Sequence, residues 1–218
     1  MLLLSTAYLA PIQYYTKLAS GEAICIEQWE HYSKQSYRNR CSILSANGLL
    51  TLSIPVKRSD SPKILTNEIE IEYKTRWQDI HLRAIESAYK NSAYYDYYID
   101  DLISIYEKKI TSLLTFNSQL QQCICDLIGI KPSIAFSNVF IKDTSNFIDY
   151  RDSIHPKPRM AKPDIQFKPM EYYQVFSEKY GFVPNLSIVD LLFNMGTETA
   201  EALLKSKPDG SDYSSAIY

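Results

Sequence analysis

Short apolar runs separated by polar turns make up the first quarter of the chain, a pattern typical of strands joined by short connections. Two apolar runs, residues 2–6 and 23–27, predict buried strands. Between them, residues 12–18 follow a proline and predict a short helix. A strand, a helix and a second strand in this order favour a parallel pair of strands.

A β-hairpin is predicted next. The dipeptide Asn47-Gly48 is a strong signal for a tight turn, so residues 42–45 and 49–56 are expected to pair antiparallel. In the segment "NEIEIEY", isoleucines alternate with acidic residues, which predicts one further, half-exposed strand.

From Thr75 onward the apolar positions recur at helical spacing. Thr75 is the expected N-cap of a helix that carries Trp77 and His81 on one face. The same periodicity predicts helices at residues 93–114 and 117–128 and within "NLSIVDLLFNMG". The segment "SIAFSNVFI" predicts a strand. Residues 142–167 show little periodicity and are expected to form a long loop.

These elements predict a mixed α/β fold, with residues 1–207 as a single domain. Its centre is expected to be a mixed sheet that starts with the parallel pair and includes the antiparallel hairpin, and helices are expected to cover that sheet. Residues 208–218 are polar and are expected to form a flexible C-terminal tail.

Charge and cysteine usage argue against several classes of function. The net charge of -2 and the isoelectric point near 5.9 argue against general nucleic-acid binding. No apolar run reaches the length of a membrane span, so membrane insertion is not expected. The four cysteines form no CxxC pair and no secretory signal peptide precedes them, which predicts reduced thiols and a cytoplasmic location.

Metal and cofactor motifs are not found in the sequence. The three histidines, His31, His81 and His155, have no HxxxH or HxH spacing. Cys123 and Cys125 are two residues apart on a predicted helix and therefore face different sides. No P-loop, dinucleotide fingerprint or nucleophile elbow is present. We therefore predict no metal site and no cofactor, while a zinc site built from distant residues stays open as an alternative.

The segment "YSKQSYRNRCSI", residues 32–43, concentrates cations in a slightly acidic chain. If this basic segment is extended, Arg38 and Arg40 point to the same side, and two guanidinium groups there match a phosphate or a carboxylate. The alternative is an edge strand whose arginines face water and pair with Glu27 or Glu30.

Several segments, in this order and spacing, carry a resemblance that covers most of the chain: "AYLAPIQYY", "EQWEHYSKQSYRNR", "LTLSIPV", Trp77 with His81, "DYRDSIHPK" and "NLSIVDLLFNMG". Together they resemble the WbqC-like family, in the shorter form typical of Bacteroidetes. At residues 5–7 the chain has "STA" where the family usually has a glutamine and a proline. At Glu27 and Gln28 the family usually has paired aspartates.

The resemblance implies an enzyme of surface-polysaccharide synthesis. The family is named for a protein encoded among O-antigen genes and is regarded as transferring glycine, or another aminoacyl group, to an amino sugar. It therefore implies a small anionic or sugar substrate that is nucleotide- or lipid-linked. The aminoacyl donor stays open between charged tRNA and an activated amino acid.

Candidate site residues follow from the basic segment and from the resemblance. The catalytic candidates are His81, His155 and Asp190, with a histidine as the general base. The substrate-binding candidates are Tyr8, Lys34, Tyr37, Arg38, Asn39, Arg40, Arg151 and Lys157. The loop with Arg151, His155 and Lys157 is expected to form an anion-binding lid over the basic segment. Asp190 has apolar neighbours and is expected to be paired, with an arginine as one candidate partner. For His81 and for the charged loop, a structural role is the alternative.

A non-catalytic role is the alternative for the whole protein. The chain has 18 tyrosines against 8 phenylalanines, and the segment "YYDYYIDDL" suits a protein interface as well as a ligand-binding face. The protein would then be a sugar- or nucleotide-binding module, or a scaffold in a polysaccharide assembly complex.

Overall fold

Strands and helices are mixed along the chain that the computed structural model describes, residues 1–58 and 63–208. The strands are β1 (Leu2–Ser5), β2 (Ile24–Glu27), β3 (Arg40–Ser45), β4 (Gly48–Ser53), β5 (Ile134–Phe136) and β6 (Ile148–Asp149). The α-helices are α1 (Ile12–Leu18), α2 (Trp77–Tyr89), α3 (Tyr95–Tyr106), α4 (Leu113–Ile128), α5 (Ser177–Tyr180), α6 (Ile188–Met195) and α7 (Thr199–Lys205). The predicted mixed α/β fold is confirmed.

Parallel strands form the central sheet, in the order β5-β2-β1-β6. β1 pairs with β2 so that Leu2 lies opposite Ile24, and α1 connects the two strands, which confirms the predicted parallel start. Every residue of β2 is buried, as is usual for a parallel sheet covered on both faces. β6 lies within residues 142–167, where the pattern predicts a loop, because a strand of two residues leaves no periodicity in the sequence.

β3 and β4 form the antiparallel hairpin that Asn47-Gly48 predicts, with Cys41 opposite Leu52. Gly48 has a φ of +99°, in the left-handed region that glycine adopts at little cost. This hairpin is a separate two-stranded sheet, so parallel and antiparallel pairing occur in two sheets rather than in one mixed sheet.

The segment "NEIEIEY" does not form the predicted strand. A 3-10 helix at Thr66–Glu68 overlaps its start, and the rest of the segment forms isolated bridges, one of which joins Ile71 to Val56. Both Ile69 and Ile71 are buried, so the alternation of apolar and acidic residues reflects burial of the isoleucines without a neighbouring strand.

The helix predicted at residues 93–114 is interrupted. α3 ends at Tyr106, and Ser112 starts α4 by accepting a hydrogen bond from the backbone N–H of Thr115 at 3.3 Å. α4 ends at Ile128, as predicted, and its C-cap is Gly129, where φ is +82°. A serine N-cap inside a run of apolar periodicity is the signal that separates the two helices.

The helices connect the two sheets. α1, α6 and α7 pack against one another, α2 contacts β3, and α3 contacts α2, α4 and α6. α2 begins at Trp77 with Arg76 as its N-cap, so Thr75 does not cap it. None of the helices in the described part of the chain combines the length and the apolar character needed to cross a membrane. The predicted C-terminal tail lies outside the described residues from residue 209 onward.

Candidate active site

The carboxyl ends of the parallel strands bring polar side chains to one edge of the sheet. β1, β2 and β6 end at Ser5, Glu27 and Asp149, and Ser137 follows β5. Ligands of open parallel sheets bind outside this edge, where the connections of neighbouring strands run in opposite directions. After β1 the chain crosses to β2, which lies on one side of β1, whereas β6 lies on the other side. The crevice between β1 and β6 is therefore a point of this kind.

A cleft occupies this crevice. Its walls come from the end of β1, from α1, from the basic segment and from the chain after β6; the polar residues that line it include Ser5, Thr6, Tyr37, Arg38, Tyr150 and Arg151. The cavity volume is about 20 Å³, enough for about one water molecule. A larger ligand could enter only if one wall moved outward.

Arg38 enters the cleft with its guanidinium group held by two partners. Its Nη2 lies 2.6 Å from Glu30 Oε1 and donates to Ser5 Oγ at 2.9 Å, and its Nε donates to Glu30 Oε1 at 3.0 Å. The two charged side chains are only 9% and 11% exposed. The backbone carbonyl of Arg38 accepts from Asn117 Nδ2 at 2.8 Å. Arg38 is therefore a rigid wall of the cleft.

Arg151 enters the cleft from the chain after β6. Its Nε and Nη2 donate to the two carboxylate oxygens of Asp149 at 2.9 and 2.7 Å, a fork that fixes the plane of the guanidinium. Burial opposes ionisation of Asp149, but the hydrogen bonds from Arg151 outweigh burial and lower the pKa of that carboxyl group. Nη1 of Arg151 also lies 3.9 Å from Glu27 Oε2.

Glu27 is a fully buried carboxylate at the end of β2. Its Oε1 accepts from the backbone N–H of Trp29 and from Ser137 Oγ, both at 2.7 Å, and its Oε2 accepts from the N–H of Ile141 at 2.7 Å. These bonds tie the turns after β2 and β5 together. Glu27 thus positions the backbone around the cleft, at the place where the family usually has an aspartate.

Charge at the cleft is therefore balanced rather than basic. The guanidinium groups of Arg38 and Arg151 contact the carboxylates of Glu30, Asp149 and Glu27. An anion that binds here must compete with these carboxylates, whereas an amine or a hydroxyl group finds acceptors beside them. Asp149 ends β6 and Glu30 follows β2. Neither of them is among the site residues predicted from the sequence.

The chain after β6 also covers the basic segment. Lys157 Nζ donates to Gln35 Oε1, and the N–H of Lys157 donates to His155 Nδ1 at 3.1 Å. Lys34, beside Gln35, is exposed. The structure thus brings Lys157 to the basic segment and Arg151 to the same cleft as Arg38, while His155 contacts Lys157 within the covering chain.

The rest of the basic segment points elsewhere. Residues 34–39 form turns, so Arg38 and Arg40 do not share the face of one extended strand. Arg40 begins β3 and lies outside the cleft lining; its Nε is buried without a hydrogen-bond partner among the described residues. Asn39 Nδ2 donates to the carbonyl of Ile54 at 2.8 Å and so attaches the segment to the hairpin. Tyr37 does line the cleft, and burial raises the pKa of its hydroxyl group to about 12.

Tyr8 and His81 lie in the core instead of in the cleft lining. The Tyr8 hydroxyl group is 2.8 Å from His81 Nδ1 and also contacts the hydroxyl group of Tyr106. The Trp77 ring packs edge-on against the imidazole, with 5.2 Å between the ring centroids. Burial lowers the pKa of His81 to about 4, so its imidazole is neutral at pH 7.

Asp190 is buried in α6, and its partners are not arginines. Tyr172 Oη donates to Asp190 Oδ2 at 2.5 Å, and Gln174 Nε2 donates to the same oxygen at 3.0 Å. The expectation of a paired carboxyl group is confirmed, and an arginine as its partner is wrong. Burial raises the pKa of Asp190, while these hydrogen bonds lower it in part. Asp190 stabilises the packing of residues 172–174 on α6.

Comparisons with known proteins give a family and a distant relative. A family model described as the WbqC-like protein family matches residues 6–155 and 159–202, which include most of the cleft lining. A curated protein of Mycobacterium tuberculosis (strain ATCC 25618 / H37Rv), named "Uncharacterized protein Rv1507c", is 28% identical over 221 residues, which cover 87% of this chain and 91% of that protein. No solved structure matches the chain.

Proposed function

The chain belongs to the WbqC-like protein family, which is linked to polysaccharide biosynthesis, and from this membership we propose that it transfers an aminoacyl group, such as glycyl, to a nucleotide- or lipid-linked amino sugar. The cleft at the carboxyl edge of the parallel sheet is the proposed substrate site. One observation carries the proposal. Arg38 and Arg151 are far apart in the sequence but line the same cleft, and each of them is paired with a carboxylate.

The mixed charge of the cleft suits a substrate with both an amine and an anionic group. Arg38 and Arg151 would donate to phosphate or carboxylate oxygens, and Lys157 would add a third cation from the covering chain. Glu30 and Asp149 would accept from the ammonium or hydroxyl groups of the sugar. Tyr37 is the donor proposed for the oxyanion that forms on the acyl carbon, whereas Asn39 holds the hairpin and lies outside the cleft lining.

The proposed reaction is attack of the sugar amine on the acyl carbon of the donor. A C–N bond forms, the bond between the acyl carbon and the donor's leaving group breaks, and the amine loses a proton to a base. His155 is the proposed base, because it lies in the same covering segment as Arg151 and Lys157. His81 and Asp190 are buried outside the cleft lining, which favours structural roles for both.

Ligand titration with a uridine diphosphate amino sugar tests the cleft. Arg38→Gln and Arg151→Gln should each weaken binding at least about tenfold, because each removes charge-assisted hydrogen bonds to an anion. Arg76→Gln is the matched control, since the side chain of Arg76 is 84% exposed and lies outside the cleft lining. Circular dichroism must show that all three variants are folded.

Mass spectrometry of the sugar tests the transfer. The wild type is incubated with the amino sugar and either aminoacyl-tRNA or an amino acid with ATP, and an aminoacylated sugar is the expected product. His155→Gln should abolish the product and leave sugar binding within about twofold of the wild type. Binding that depends on Arg38 and Arg151 without product from any donor would favour the non-catalytic binding module instead.

A further inference from the structure

A groove lies between α4 and the carboxyl end of β5, beside the cleft. Its lining comes from the first half of α4 and from the residues that end β5 and follow β2; it includes Thr115, Ser118, Gln119, Gln122, Phe136 and Gln28. The groove has a volume of about 470 Å³, within the range of roughly 300–1,000 Å³ that is usual for small-molecule sites. It is therefore much larger than the space inside the cleft.

The groove is polar without being charged. Among the described residues that line it, none is acidic or basic. Gln28, Gln119 and Gln122 present amide groups, which both donate and accept hydrogen bonds, and Thr115 and Ser118 present hydroxyl groups. Such a lining gives a charged ligand no counter-ion and gives a ligand rich in hydroxyl groups many partners.

Two amide groups in the groove keep free hydrogen-bonding capacity. The side chain of Gln119 is half-buried and forms no hydrogen bond with any described residue. Gln28 Nε2 donates to the carbonyl of Ser137 at 2.8 Å, which leaves its Oε1 as an acceptor. Neither amide atom of Gln119 is a buried atom without a partner, so both are accessible to a ligand in the groove.

An aromatic surface borders these amide groups. Phe136 is 40% exposed at the end of β5. Trp29 follows Gln28, is 36% exposed, and donates from its indole nitrogen to the same carbonyl of Ser137 at 2.9 Å. One face of a pyranose ring carries C–H groups, which pack on an aromatic ring, while hydroxyl groups surround its edge.

We propose that this groove binds an uncharged sugar, with Phe136 against one face of the ring and with Gln28 and Gln119 at its hydroxyl groups. The site would hold a neutral residue of a glycan, either as a free sugar or as part of an oligosaccharide. This inference does not depend on aminoacyl transfer in the cleft. α4 links the two sites, because Asn117 on its buried face holds the backbone of Arg38.

Tryptophan fluorescence provides a direct test. Of the two tryptophans, Trp77 is 2% exposed and Trp29 lies next to the groove, so a sugar in the groove should change the emission of Trp29. Methyl glucoside, galactose, N-acetylglucosamine and their tetrasaccharides are titrated up to about 50 mM, with glycerol as a control for unspecific solvent effects. We expect saturable binding of at least one sugar, and tighter binding of a tetrasaccharide if the site accepts a chain.

Matched variants assign the signal to the groove. Phe136→Ala and Gln119→Ala should each weaken sugar binding about tenfold, whereas Tyr97→Ala and Asn91→Ala, which change exposed residues elsewhere, should leave it unchanged. Gln119 lies in a helix, and alanine is the best helix former, so Gln119→Ala should fold. It therefore tests the groove even if Phe136→Ala does not fold. Absence of saturable binding for every neutral sugar, or an equal response to glycerol, would overturn the proposal. Loss of binding in Arg38→Gln but not in Gln119→Ala would assign the sugar to the cleft and would also overturn it.

Discussion

His81 illustrates how burial sets the properties of a single residue. It is 3% exposed, between the Trp77 ring and the hydroxyl group of Tyr8. Burial lowers its pKa from the usual 6.5 to about 4, and a hydrogen bond with the backbone of Ser53 opposes this in part. Folding therefore requires the neutral imidazole, which is a contribution to stability that depends on pH.

We predict an acid-dependent loss of stability that arises from His81. The contribution is complete above pH 6.5 and is lost as the pH falls towards about 4, because the unfolded state then binds a proton that the folded state excludes. The loss should reach about 3 kcal/mol in the free energy of unfolding. His81→Gln should reduce the difference in unfolding free energy between about pH 7 and pH 4.5, measured by urea denaturation. An equal pH dependence in wild type and variant would contradict this prediction.

At the scale of elements, the covering chain after β6 is attached to α1 by a buried ion pair. Lys17 Nζ lies 2.8 Å from Asp164 Oδ2, and the two side chains are 3% and 4% exposed. Gln13 Nε2 donates to the same oxygen at 2.9 Å, and Lys17 packs over the ring of Tyr150. This anchor holds the segment that carries Arg151 and closes the cleft.

We predict that Asp164→Ala releases the covering segment. The change leaves a buried lysine without its carboxylate and should cost about 3–5 kcal/mol in the free energy of unfolding. Peptides from residues 150–168 should exchange amide hydrogens at least about tenfold faster, and trypsin should cut faster after Arg159, which precedes Met160. Hydrogen-exchange mass spectrometry measures the first effect and a timed digest the second.

Asp152→Ala is the matched control for that experiment. It breaks the ion pair between Asp152 and Lys162, whose side chains are 66% and 71% exposed, in the same segment. An exposed pair contributes less than about 1 kcal/mol. Similar exchange rates in the two variants would show that the buried anchor does not hold the segment.

At the scale of the whole molecule, α6 joins the parallel sheet to the hairpin. Ser187, at its start, donates from its backbone N–H to the carbonyl of Ser42 in β3 at 2.8 Å, and from its Oγ to the carbonyl of Leu9 at 2.7 Å. Leu192 and Phe193 of α6 are fully buried in a core that includes residues of both sheets. These contacts favour a single cooperative unit.

We therefore predict that residues 1–207 unfold as one domain. Urea denaturation followed by tryptophan fluorescence and by far-ultraviolet circular dichroism should give coincident transitions, because the two sheets share one core. A fluorescence transition that precedes the loss of secondary structure would indicate two independently stable parts and would contradict the single-domain prediction.

Much of the candidate site was visible as residue types in the sequence. Arg38, Tyr37 and Arg151 were predicted to bind substrate, and all three line the cleft. Glu30 was already an alternative partner for the arginines in the sequence, but other ion pairs were harder to predict, because burial decides which carboxylate pairs with which cation. Asp164, for example, lies 147 residues from Lys17 in the chain. The cytoplasmic location expected from the thiols stays a prediction.

Local chemistry in the sequence determined the parallel start of the sheet, the Asn47-Gly48 hairpin and most of the helices, since these depend on periodicity and turn residues among near neighbours. Together with the family resemblance, it also determined which segments supply the cleft. Only the tertiary structure decided that the cleft carries balanced charge, that His81 and Asp190 belong to the core, and that a neutral groove lies beside the cleft. Each of these depends on burial and on contacts between residues far apart in the chain, which no local pattern encodes.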